Sequence, residues 1–258
     1  MRTVTVTRYV APLREGGSLP AIVEADDDGM YVLKFRGAGQ GPKALIAELI
    51  AGELGRAIGL PVPEIVFADL DSCLARTEPD PEIQDLIRAS HGVNLGMDYL
   101  PASLMFDPVV TLPEADLASK IVWFDAYTSN VDRTARNPNM LMWHGNLWLI
   151  DHGAALYIHH GNDPFVERSS DGFAMIRHHV LLPFAEGLPE AAAALTAAIN
   201  RPIIEGIVSR IPDAWLVPNN AYANPGSFRE AYADYLVNRL QEPQAFLEEA
   251  ISARARHI

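Results

Sequence analysis

The chain has 258 residues, 49% of them hydrophobic and 21% charged, with 20 Lys and Arg against 33 Asp and Glu. That apolar content fills one large domain or two small lobes and excludes a disordered chain. A formal net charge of −13 excludes gripping nucleic acid or an anionic membrane through bulk charge. A nucleotide site stays compatible with it, because a few local cations and a metal offset phosphate charge.

In chain order, residues 2–10 alternate as a half-buried strand, with Val4 and Val6 on one face. The turn Arg14-Glu15-Gly16-Gly17-Ser18 leads to the apolar run Ala21-Ile22-Val23. A second turn, Asp26-Asp27-Asp28-Gly29, precedes a strand over Met30–Phe35, which makes an antiparallel meander. Pro42 suits the first turn of a helix, Leu45, Leu49 and Ile58 continue its apolar stripe, and Gly59 stops it. A strand over Glu64–Leu70, a short helix over Glu82–Ala89 and a strand within His91–Leu100 complete this part.

From Leu112 helices dominate. Leu117, Ile121, Val122 and Phe124 form a stripe ending near Thr128-Ser129-Asn130. A polar loop follows, and then two apolar runs around His144-Gly145-Asn146 read as a hairpin. Leu188–Ile211 is helical with a break at Pro202, and Gly226–Ile251 is a last helical stretch. Trp123, Trp143, Trp148 and Trp215 are expected in the core. Strands thus segregate from helices near residue 100, which predicts an α+β fold of two lobes, 1–98 (an antiparallel sheet plus one main helix) and 99–258 (helical). A cleft between lobes is the usual ligand site.

The lone Cys73 excludes an intramolecular disulfide and a multi-cysteine zinc cluster. The start MRTVTVTRYV lacks the apolar core of a signal peptide, and no run nears the ~18 apolar residues of a membrane helix. A cytoplasmic protein without a membrane or direct nucleic-acid partner is therefore expected. His159-His160 and His178-His179 match no zinc spacing.

The chemistry concentrates in Asn130-Val131-Asp132-Arg133-Thr134-Ala135-Arg136-Asn137-Pro138-Asn139 and in Asp151, where the hairpin leaves its second strand for His152-Gly153. Asp151 and the amide oxygen of Asn137 can supply oxygen ligands to a divalent cation, while Asp132 can take a proton from an attacking hydroxyl. Lys34 ends the third strand and can neutralise α- and β-phosphates, positioned by a helix acid, Glu48 or its competitor Glu53. Gly16-Gly17-Ser18 can be a phosphate cradle or a plain hairpin loop. Arg133 and Arg136 can meet substrate phosphate or make structural pairs. Each piece alone has an ordinary structural explanation; their order in one chain favours phosphoryl transfer.

YVLKF at 31–35, ELIAGELGRAIGLPVPE at 48–64, NVDRTARNPN at 130–139 and LWLIDHG at 147–153 resemble the HipA-like kinases, a branch of the protein-kinase-like fold related at its active site to the phosphatidylinositol kinases. The resemblance covers about residues 8–160. It implies a nucleotide site between a β-rich and a helical lobe, with ATP and Mg²⁺ as cofactors. Lys34 would contact phosphates, Asp132 would be the catalytic base, Asn137 and Asp151 the magnesium ligands, and Met97, Asp98, Tyr99 and Leu100 the hinge beside adenine. By the same likeness Ser18 is a candidate autophosphorylation site. Asn130 stands where ordinary protein kinases carry the His of H-R-D, and His152 replaces the Phe of D-F-G. Toxin members add an N-terminal subdomain for which the 33 residues before Lys34 leave no room, so an antitoxin-type partner stays open.

The expected activity is transfer of the ATP γ-phosphate to a hydroxyl, a protein Ser or Thr first. A small-molecule or lipid acceptor is the alternative, although kinases of aminoglycoside or choline type usually carry His-Gly where this chain has Asn130-Val131. A nucleotide-binding, pseudokinase-type regulatory module is the third reading. Ala154–Gly172 is expected to shape the substrate side.

Overall fold

The computed structural model describes residues 1–13, 19–39, 41–161 and 164–256. The turn containing Gly16, Gly17 and Ser18, read above as a possible phosphate cradle, lies outside the described residues. Five strands come first: β1 (Thr3–Pro12), β2 (Ala21–Ala25), β3 (Met30–Lys34), β4 (Ile65–Leu70) and β5 (Gly92–Asp98). The meander is as expected, since β1, β2 and β3 pair antiparallel in succession. Antiparallel pairing continues from β3 to β5 and from β5 to β4.

The sheet departs from the simple antiparallel expectation at its ends. Strands β4 and β1 pair parallel, Val4 opposite Ala68, and close the sheet into a barrel in the order β1-β2-β3-β5-β4. Closure removes the exposed edges a five-stranded sheet would otherwise present. It also explains the alternation of β1, whose Val4 and Val6 point inward against Val23, Leu33, Val66 and Leu70 while Thr3 and Thr5 face water. Ile83 and Ile87 of α2 (Pro81–Ala89) cover this core.

Helix α1 (Gly41–Ala57) connects β3 to β4. Its predicted stop holds. Gly59 adopts φ +81°, its N–H donates to the Arg56 carbonyl, and the Leu60 N–H reaches back to Gly55, a Schellman end that favours glycine. The expected single stripe is wider in the structure. Every residue from Leu45 to Gly55 is buried, because α1 is enclosed on most sides. Its Leu45, Leu49, Ile50 and Leu54 share one core with Ile121, Val122 and Phe124 of α3 (Ala115–Thr128) and with Leu149.

The hairpin is present as β7 (Met140–Trp143) and β8 (Asn146–Leu149), extended by a short β6 (Leu104–Met105). Trp123 and Trp215 are core as expected. Trp143 and Trp148 are only half-buried, since they sit on a three-stranded sheet with one open face. Short 3₁₀ turns fill most of 157–184. The break foreseen at Pro202 separates α4 (Leu188–Ala198) from α5 (Arg201–Val208). The last helical stretch is two helices, α6 (Pro225–Gln241) and α7 (Gln244–Ala255), because Pro243 lacks the N–H that would continue the first. Among the described residues no single helix is long and apolar enough to cross a membrane.

Candidate active site

Two clusters form, and the backbone straps them together. At the end of β3, Lys34 Nζ donates to Glu48 Oε2 of α1 at 2.5 Å and to Asp151 Oδ1, just past β8, at 2.5 Å. Glu48 is thereby chosen over Glu53, which pairs with Arg56 and Arg210. The Glu48 side chain is 1% exposed, whereas that of Asp151 is 46% exposed. Burial opposes charge on Lys34 and Glu48. On Lys34 the pull of Asp151 and then of Glu48 outweighs it, and on Glu48 that of Lys34 and then of His152, so the lysine pKa rises and the glutamate pKa falls. His152 lies directly beneath, its Nδ1 3.4 Å from Glu48 Oε1. The Asp151 backbone sits in the left-handed region, φ +53°, and its carboxylate reaches Lys34 rather than continuing the strand.

The second cluster is the loop after α3. Asn137 Nδ2 donates to Asp132 Oδ2 at 2.8 Å, and Asn139 Nδ2 donates to the same oxygen at 3.3 Å. One carboxylate oxygen is therefore fixed by two amides. With its N–H₂ so committed, Asn137 keeps its amide oxygen as a free acceptor. Two backbone bonds hold this loop against the Asp151 segment: Val131 N–H to the Ala154 carbonyl at 3.4 Å and Ile150 N–H to the Asn139 carbonyl at 3.0 Å.

Beneath the loop lies a charged network that the sequence reading did not single out. Asp125 of α3 is completely buried. Its Oδ2 accepts from Arg133 Nε at 2.5 Å and from His179 Nε2 at 2.9 Å, and its Oδ1 accepts from the Asn130 amide at 3.1 Å. Arg133 also donates to the Asn139 carbonyl at 2.5 Å, so its role is structural rather than substrate-facing; Arg136 is exposed. The Leu181 N–H donates to His179 Nδ1, which leaves Nε2 as the protonated nitrogen of a neutral ring. The signal was present as an Asp inside the apolar run Ile121–Thr128. Buried Arg239 of α6 completes the platform by capping the Ala126 and Tyr127 carbonyls at the end of α3.

Burial pushes the pKa of His179 below its ordinary value and that of His159 well below it. A histidine whose folded pKa is depressed contributes stability above its unfolded value, and loses it as pH falls. Thermal stability accordingly declines as the pH drops from 7 through about 6.5 toward 5, which a melting series across that window checks.

The residues expected as the hinge, Met97, Asp98, Tyr99 and Leu100, lie at and just past the end of β5. Met97 and Leu100 are buried, and Asp98 is exposed. The Asp98 and Tyr99 amides are already committed, to the Glu64 carbonyl at 2.8 Å and the Met30 carbonyl at 3.0 Å. The small pocket at the ion pair is lined by Lys34, Ala38, Gly41, Ala44, Asp151 and Gly153 and does not reach residues 97–100. Among the described residues no three His, Cys, Asp or Glu converge as a metal cage. The two expected ligands, Asp151 and Asn137, each offer an oxygen donor, the donor type that suits Mg²⁺.

A sequence profile of the HipA-like kinases matches residues 6–249, well beyond the stretch that carried the resemblance. No curated protein matches the chain in sequence. Among solved structures, the Helicobacter pylori proinflammatory kinase CtkA is similar in fold, with a TM-score of 0.55 at 11% identity over 99% of this chain and 98% of that one. The Golgi casein kinase, solved with Mn and ADP bound, gives a TM-score of 0.49 at 12% identity, over 93% of this chain and 74% of that one.

Proposed function

Because the chain belongs to the HipA-like kinase family, we propose that it is a Mg²⁺-dependent kinase that transfers the ATP γ-phosphate to a hydroxyl, a Ser or Thr of a protein. The single observation that carries this reading is the strapping of the Asp132–Asn137–Asn139 cluster to the segment bearing Asp151, which itself joins Lys34 and Glu48. Asn130-Val131 ahead of the catalytic aspartate favours a protein acceptor over the small molecules taken by kinases with His-Gly there. Residues 1–98 would form one lobe and 99–258 the other, with ATP between them, its adenine beside Met97–Leu100, in a cytoplasmic setting.

Asp132 is the base. Asn137 and Asn139 hold Oδ2, which turns Oδ1 to the acceptor hydroxyl and its proton. Lys34 offsets phosphate charge while buried Glu48 stays its permanent partner. Solvent-exposed Asp151 is the partner free to exchange, and with the Asn137 amide oxygen it would hold Mg²⁺. Held there, the metal would supply positive charge against the charge that develops on the phosphates. The rest is positioning, for which the Asp125 network under the loop is suited.

Calorimetry of ATP with Mg²⁺ tests the assignment. Wild type binds, and Asp151→Asn loses the metal-dependent part of the affinity and turns over no substrate, while its melting temperature stays near that of wild type. Full activity in a clean Asp151→Asn protein refutes this site, and absence of nucleotide binding by folded wild type refutes the kinase reading.

A further inference from the structure

Apart from the phosphate pocket, a second and larger concavity opens on another side of α1. Its volume is about 260 Å³, near the lower end, roughly 300 Å³, of the range for small-molecule sites. Its apolar wall comes from Ile46 of α1, Trp215, Leu216 and Phe228, and Tyr232 adds a third aromatic ring. The one charged group in the lining is Lys43, a turn before Glu48 on the same helix. Among the described residues no carboxylate pairs with Lys43. Its ammonium donates only to the His159 backbone carbonyl, which leaves two N–H donors uncommitted. Partial burial without an anion pushes the pKa of this lysine down, so a bound anion relieves an existing cost. Tyr232 and the carbonyl that anchors Lys43 belong to one rigid unit, since the Tyr232 hydroxyl is 3.0 Å from His159 Nδ1.

We propose that this concavity is a binding site for a small aromatic acid, its ring against Trp215, Leu216 and Phe228 and its anionic group on Lys43. A neutral ligand of the same shape would bury the ring but leave the ammonium unmatched. A polyanion such as a nucleotide would bring more charge than one lysine offsets. Ligand seated here bridges the start of α1 to the 215–232 segment. Glu48 lies five residues on, about 7.5 Å along the axis, so the bridge also fixes the helix that holds Lys34. That coupling rests on the kinase reading, whereas the binding itself does not.

The test uses 1-naphthaleneacetate as probe and its neutral amide as control, titrated by calorimetry into the whole protein. Wild type is expected to bind the acid about tenfold more tightly than the amide, the size of a hydrogen-bonded charge interaction. Lys43→Gln levels the two, and Lys43→Arg restores the preference. Equal affinity in wild type, binding of neither probe, or a preference that survives Lys43→Gln overturns the site. For the coupling, the acid slows amide hydrogen exchange across α1 and raises affinity for ATP with Mg²⁺. Acid binding without the slowed exchange overturns the coupling alone. Slowed exchange in a protein that binds no ATP leaves the site standing and removes the kinase reading.

Discussion

Asp132→Asn lowers phosphoryl transfer by about 10²–10⁴-fold, the usual worth of a positioned general base. The measurement is ADP released in the presence of protein and small-molecule hydroxyl acceptors, beside calorimetry of ATP with Mg²⁺. The substitution keeps the shape of the side chain but makes it a poor proton acceptor. It also sets the new amide against the Asn137 and Asn139 amides, which both now donate to Oδ2. Nucleotide affinity is expected to stay unchanged, because Lys34, Glu48 and Asp151 are untouched. A variant that turns over at the wild-type rate removes Asp132 from the role of base. A variant that loses nucleotide affinity as well makes Asp132 act through Asn137 on the metal rather than as the base.

The largest effect on stability is expected from Asp125→Ala. The carboxylate has no solvent exposure, and its partners Arg133 and His179 are nearly as deeply buried. Deleting it leaves the Arg133 guanidinium as an uncompensated buried charge and strips His179 and Asn130 of their acceptor. A loss of about 3–5 kcal/mol follows, as for other broken buried pairs. In a chain of this size that corresponds to a fall in melting temperature on the order of 10 °C, readable by calorimetry or circular dichroism. Acid acts on the same group. Burial works to raise the Asp125 pKa, but Arg133 and then His179 outweigh it and hold the carboxyl well below the ordinary range. A carboxyl so depressed stabilises the fold above its unfolded pKa, near 4, and the contribution is lost as pH falls below that. Wild type therefore loses stability again below about pH 4, and a variant lacking Asp125 shows a smaller loss there, with the part from Glu48 remaining. A melting temperature within a degree or two of wild type refutes the network.

Much of this was legible from the residues in order. The meander, the α1 stop at Gly59 and the β7–β8 hairpin follow from local rules: alternation, a glycine at positive φ, a two-residue turn. The pieces of the candidate site were legible for a similar reason, since Lys34 ends β3, Asp151 follows β8, and Asp132 and Asn137 share the polar loop between α3 and β7. What local pattern does not encode is the partner across the fold. The parallel pairing of β4 with β1 joins residues more than sixty positions apart, and neither strand carries a mark that selects it. Nothing in the spacing of Glu48 and Glu53 said which would meet Lys34. Asp125 was the readable exception, a charge in an apolar helical run, yet its partner His179 lies 54 residues away and only the fold supplies it. The last two helices read as one stretch in sequence because the apolar pattern runs on both sides of Pro243.

Helix α1 enters from one barrel strand and returns to another, yet its apolar side chains belong to the core of the later helices. A chain released after residue 98 would therefore carry Leu45, Leu49, Ile50 and Leu54 covered only in part, by Leu60, Val62, Ile65, Leu95 and Met97. The barrel cannot reach its final state ahead of the rest, because the connection between its third and fourth strands is seated only when α3 and Leu149 arrive. Folding is expected to be cooperative from end to end, one transition in a melting experiment, with a severed N-terminal fragment prone to aggregate rather than fold.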